Sequence, residues 1–154
     1  MAPESTGTTR STAAAMEADA ARAMSGFWSR LSAGEQIAFA GAFVLLVIGD
    51  FILSDLLGAG GVPIALEIAA ADVLLLIWAR AMRPGMAWPF PFPMLLAALA
   101  VIVAVPTFSD VLADLPHLGD LFADAGQLLA WVIDSIAGLA VGLGAWMVWR
   151  SEAR

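Results

Sequence analysis

The chain has no cysteine, no lysine and no tyrosine, and its single histidine is His117. Without cysteine there can be no disulfide, iron–sulfur cluster or thiolate zinc site. Without lysine there is no Schiff-base chemistry, and without tyrosine no phenolic acid or base. Charge is sparse as well. Only 14% of the 154 residues are charged, and all seven positive charges are arginines. They form no basic stripe, which argues against nucleic-acid binding. Gly58–Gly61 lacks the Lys-Ser/Thr of a phosphate-binding loop, and no nucleophile–base pair or paired-histidine motif occurs. The chain is therefore expected to be no enzyme and to hold no cofactor.

Apolar residues are abundant. At 61% hydrophobic and a mean hydropathy of +0.87, a water-soluble domain of this length could not hide its side chains in one core. The expected class is all-α, an integral membrane four-helix bundle with lipid as its main solvent.

The placement of arginine sets the orientation. Arg10, Arg22 and Arg30 precede the first long apolar run, Arg80 and Arg83 follow the second, and Arg150 and Arg154 follow the last. The other two connections, Gly58–Gly61 and Thr107–Gln127, contain no Arg or Lys. Short basic loops resist translocation, so this alternation predicts four spans with both termini cytoplasmic.

Along the chain, residues 1–11 are rich in Ser, Thr and Gly and are expected to be a disordered tail. Residues 12–31 are predicted to form an amphipathic interfacial helix, with Met16, Ala20, Ala23, Phe27 and Leu31 on one stripe. Ser32-Ala33-Gly34-Glu35 has the form of a capping box. The transmembrane domain is expected over 32–150, with a cytoplasmic tail at 151–154. Its spans fall at about 36–57, 62–82, 94–112 and 128–149. The first, at about 22 residues, would rise about 33 Å. Trp88-Pro89-Phe90-Pro91-Phe92-Pro93 reads as a stiff aromatic connector at the headgroups. The third span is the short one, because the run Met94–Val105 meets Pro106 after 12 residues. A re-entrant segment would leave Arg150 and Arg154 outside, so a short or kinked span continuing to Leu112 is expected. A separate short amphipathic helix around Leu112, Leu115 and Leu118 should follow it, interrupted at Pro116.

The residues that could carry function are acidic or small. Asp72 sits near the middle of the second span, on a stripe with Ala65, Ala69, Leu76 and Ala79 that is expected to face the bundle interior. Asp134 lies in the fourth span, and Asp50 and Glu67 lie nearer the outer boundary. A carboxylate at mid-depth costs roughly 2.5–3.5 kcal/mol on insertion scales. Such acids either hydrogen-bond across helices, pair with a partner's basic residue, or line a proton or cation path. On the fourth span Gly138, Gly142 and Ala145 share a face with Asp134, and Gly138 and Gly142 form a G-x-x-x-G that lets another helix approach closely. Asp110, Asp114, His117, Asp120 and Asp124 make a weak candidate cation site, with a solvated acidic loop as the plainer reading.

The stretch Trp28-Ser29-Arg30-Leu31-Ser32-Ala33-Gly34-Glu35-Gln36-Ile37-Ala38, followed by Gly41-Ala42, resembles the opening of small four-transmembrane-helix bacterial membrane proteins. The resemblance covers the first span, implies a bacterial cytoplasmic membrane and names no activity. The function expected is that of a non-enzymatic structural or accessory subunit, in contact with the lipid bilayer and with a membrane-protein partner or further copies of itself. The alternative is a small oligomeric proton or cation conductor using the intramembrane acids.

Overall fold

A computed structural model describes residues 6–49, 62–117, 119 and 124–152, with side chains from residue 14 onward, and every regular element among them is helical. Helix α1 spans Thr6–Trp28 and so begins inside the stretch expected to lack structure. It forms a unit of its own with the residues up to Leu31. Its alanines favour helix, Arg22 pairs with Asp19 one turn away, and Ser25 and Ser29 donate back to the carbonyls of Arg22 and Gly26.

The second unit, Ser32–Arg154, holds the remaining helices. Helix α2, Ala33–Phe43, opens on the expected capping box. The Glu35 amide donates to Ser32 Oγ at 3.3 Å, and the Ser32 amide donates to Glu35 Oε2 at 2.7 Å. The helix continues as a π-helical stretch over 44–49, in which each turn takes in one residue more than in an α-helix. Asp50, Asp55 and the Gly58–Gly61 turn lie outside the described residues.

Helix α3, Ile64–Met82, starts directly after Pro63, and Arg80 sits in its last turn, where a cation complements the helix dipole. Gly85, at φ +90°, adopts a backbone conformation open to glycine and begins the turn toward the next helix.

Helix α4, Phe92–Asp114, covers the third segment expected at about 94–112 and takes the longer form expected for it, continuing past Pro106. It runs unbroken through Pro106 and extends as a 3-10 turn over Leu115–His117, so Asp110, Leu112 and Asp114 belong to it rather than to a separate outer helix. Proline removes the donor that would reach the carbonyl four residues back. Just beyond it, Thr107 Oγ1 donates to the Val103 carbonyl at 2.8 Å, adding a polar contact inside the helix. The proline-rich connector also ends sooner than its pattern implies, since Phe92 and Pro93 already form the first turn of α4 and are buried.

Helix α5, Ala125–Glu152, is capped by Asp124, whose Oδ1 accepts from the amides of Gly126 and Gln127 at 2.9 and 3.2 Å. Leu118 and Asp120 are outside the described residues. Of the elements, Phe92–His117 and Ala125–Glu152 are long and apolar enough to cross a membrane. The α2 helix with its π extension, Ala33–Gly49, is shorter, and the 19 residues of α3 include Glu67, Asp72 and Arg80.

Small residues set the register. Helix α2 packs against α3 and α5, and α4 packs against α3 and α5. A Cβ added at Gly34 would lie 2.7 Å from the Gly144 carbonyl oxygen, and one at Gly41 would lie 2.6 Å from that of Ala137. Gly49 lies against Asp134. Advancing along α2 thus means retreating along α5, so the two are antiparallel. Gly138 against Thr107 and Gly142 against Ala104 show the same for α4 and α5. Such close approach maximises van der Waals contact, a contribution available in water and in lipid alike. Leu45, Val73, Ile77, Leu96, Val103 and Val141 fill the space between the helices and are fully buried.

Candidate functional site

Apart from Asp72, midway along α3, the polar side chains of the second unit gather mainly at its two ends. At one end Arg80 connects all four helices. Its Nε lies 3.2 Å from Glu35 Oε1 of α2 and its Nη2 2.8 Å from Glu152 Oε1 of α5, while its guanidinium carbon stands 4.0 Å from the Phe92 ring centroid of α4. Trp88 leans on Phe92 with ring centroids 6.4 Å apart. The Glu35 side chain is only 6% exposed and Arg80 is 36% exposed. One oxygen of Glu35 caps α2 while the other holds Arg80. The capping role of Glu35 is legible in the local pattern and the second role is not, although the placement of both residues at arginine-rich helix ends could have brought them together.

At the other end a cavity of about 240 Å3 opens among α2, α3, α4 and α5. Its polar lining is Thr107, Asp110 and Asp114 from α4 and Trp131, Asp134 and Ser135 from α5, and Leu45, Val62, Pro63, Leu66 and Ala113 complete it. Spacing explains the lining. Asp110 follows Thr107 by three residues and Asp114 follows by four more, and Trp131, Asp134 and Ser135 keep the same helical step. The indole Nε1 of Trp131 is buried with no acceptor among the described residues, and the Asp134 carboxylate sits beside Gly49, where no side chain intervenes. Three carboxyl groups and no arginine line this cavity. Its lining offers carboxylates, hydroxyls and an indole, with no nucleophile held by a base.

The structure separates residues that the sequence placed together. Asp110 and Asp114 line the cavity, whereas His117 is exposed beyond the end of α4 and Asp124 is engaged in capping α5. Among the described residues no group of three His, Cys, Asp or Glu side chains is arranged to hold a metal ion. Glu67 is half-buried on α3.

Asp72 is the main correction, because it is exposed and does not face the interior. The buried face of α3 is Leu66, Ala69, Ala70, Val73, Ile77 and Ala81, which turns Asp72 outward with Ile68 and Leu75. Asp72 and Asp134 therefore share no site within one chain.

The small residues of α5 do different jobs. Gly138 leaves room for the Thr107 side chain, Gly142 meets Ala104, and Ala145 is buried beside them. Gly144, outside the G-x-x-x-G, makes the closest approach to the backbone of another helix, with a Cβ there falling 2.5 Å from the Ala38 amide nitrogen. Comparison of the chain with protein-family models, curated proteins and solved structures finds no match.

Proposed function

We propose that the chain is a non-enzymatic, four-span protein of a bacterial cytoplasmic membrane, with both termini cytoplasmic, that serves as a structural or accessory subunit of a larger membrane assembly. The observation that carries the reading is the inversion of polarity between ends and sides. Large apolar side chains stand outward on α3, α4 and α5, among them Ile68, Leu75, Val101, Ile102, Leu139 and Leu143. Soluble monomers keep contiguous apolar patches to a few hundred Å2. The polar groups other than Asp72 collect instead at the Arg80 end and the Asp134 end, where headgroups and water would lie. Helix α3 then spans with Arg80 at the cytoplasmic boundary, and α2 with its π-helical extension enters the membrane from the same side.

A subunit role is favoured over conduction by one chain because apolar side chains fill the space between the helices. The alternative, an oligomeric conductor, would have to line a shared pore with Asp72, since Asp72 faces away from the Asp134 cavity.

Topology is tested with single cysteines at Ser5, Gly60, Gly119 and Ser151, each unique in this cysteine-free chain. Gly60 and Gly119 variants should react with an impermeant thiol reagent on intact cells, and the other two only after lysis. Labelling of the Ser151 variant on intact cells would reject four spans. Liposomes holding purified chain and an internal pH dye should show no flux under an imposed potential, and flux abolished by Asp72→Asn or Asp134→Asn would establish the conductor.

A further inference from the structure

We propose that the outward face of α3 docks a transmembrane helix of a different protein, one that presents an arginine or lysine at mid-depth to Asp72. The proposal rests on the four-span reading. Asp72 is the ninth of the 19 residues of α3, which leaves about 12 Å of helix on one side and about 15 Å on the other. It is exposed and makes no hydrogen bond or ion pair with a described residue. Ile68 and Leu75, about one turn away on either side, are 59% and 60% exposed, and Ile64 and Trp78 continue the apolar surface. Lysine and arginine at such a depth can extend their long stems toward the headgroups. Aspartate has one methylene and cannot. Its carboxyl group must find its partner in the plane of the membrane.

This chain cannot supply that partner. It has no lysine. Arg80 lies two turns further along α3 and is held by Glu35, Glu152 and the Phe92 ring, and Arg83 lies beyond the helix. A second copy in the same orientation would set Asp72 against Asp72, like against like. A copy in the opposite orientation, with its Asp72 at the same level, would set Arg80 beside the start of α3. On the four-span reading the remaining arginines, at 10, 22, 30, 150 and 154, belong to cytoplasmic segments at the ends of the spans. Charge complementarity therefore calls for a chain with a basic residue inside an apolar span. A carboxylate and a guanidinium or ammonium make a charge-assisted hydrogen bond, and its strength rises where water is excluded.

The experiment uses the full chain in its native membrane. A photoreactive phenylalanine analogue is placed at Leu75 and, in parallel, at Val101 of α4 and Leu143 of α5. Illumination of the Leu75 variant should give an adduct with one other protein, and mass spectrometry should locate the crosslink in an apolar segment containing Arg or Lys. Asp72→Asn should lower the adduct yield about tenfold or more. Asp72→Arg combined with an Asp replacing the partner's basic residue should restore it.

Adducts from Leu75 with lipid only, with a second copy, or with a segment lacking a basic residue would overturn the proposal, as would a yield indifferent to Asp72→Asn. Adducts with another protein from Val101 or Leu143 but not from Leu75 would overturn the α3 assignment and leave the subunit reading standing. No protein adduct from any of the three positions would overturn both. Asp72→Asn should also leave the thermal midpoint of the isolated chain in detergent unchanged. A fall would mean that the carboxyl group is already satisfied within the chain, which contradicts the proposal.

Discussion

The two ends of the helix assembly treat the same kind of side chain in opposite ways. At the Arg80 end two carboxylates on different helices share one guanidinium, and the more buried of them also caps α2. At the Asp134 end Asp110, Asp114 and Asp134 line one cavity with no arginine among them. The first arrangement ties helices together and the second gathers carboxyl groups without an arginine. Charge near a helix end thus says little about stability until its partners are known. The arginine-rich end is expected to be the rigid one, and the acidic end the one that tolerates change.

The largest effect should come from the glycine seam beside the Arg80 end. Gly144→Val puts methyl groups where backbone atoms of Gly34 and Ala38 already stand, so α2 and α5 must part. A loss of about 3 kcal/mol is expected, at the upper side of usual overpacking costs, read as a drop in thermal midpoint in detergent. A variant as stable as the parent would mean that α2 and α5 are not in contact there.

Next comes the arginine itself. Arg80→Gln leaves the Glu35 carboxylate buried without its cation, and the expected cost is on the order of 2 kcal/mol, below a fully buried pair because Arg80 is a third exposed. Arg80→Gln with Glu35→Gln should recover part of that loss, and a double variant no better than the single would assign Arg80 to the Phe92 ring and Glu152 instead.

The smallest effect, of opposite sign, belongs to the acidic end. Asp110 and Asp114 are four residues apart on α4, where like charges repel. Asp110→Asn should stabilise by about 0.2–0.5 kcal/mol at low ionic strength and by less as salt is added. Destabilisation would show that the carboxylate has a partner worth more than the repulsion.

How much of this was legible in the sequence depends on the kind of signal. The capping box at Ser32 and Glu35 is local, involving only residues three apart, and it appears as expected. The apolar runs gave the helices, and arginine placement gave the end at which Arg80 lies. The face of α3 was not legible. That helix is apolar nearly all round, so its 3.6-residue period says that Asp72, Leu76 and Ala79 lie together but not which way they point. The interior direction is set by which side carries the small residues Ala69 and Ala70 into contact, a tertiary outcome. Pro106 obscured only how the third span continues toward Leu112, and the helix runs through it. A proline ends a helix in isolation, but inside an apolar segment an open chain would leave more backbone groups unpaired than the one donor proline lacks. The cavity was visible only in pieces: Asp134 stood out in the fourth span, while Thr107 and Ser135 are side chains of ordinary appearance that acquire meaning from their neighbours.

The Arg80 contacts also bear on the order in which the chain is assembled. During synthesis Glu35 is made before Arg80, whereas Glu152 follows Arg80 by 72 residues. The link between α2 and α3 can close while α5 is still untranslated, and it holds that hairpin with one carboxylate. Only when the last turn of α5 arrives does the second carboxylate take up the free side of the guanidinium. One arginine thus acts twice in time, first as the latch of a helical hairpin and later as the point at which the final helix registers that it is in place.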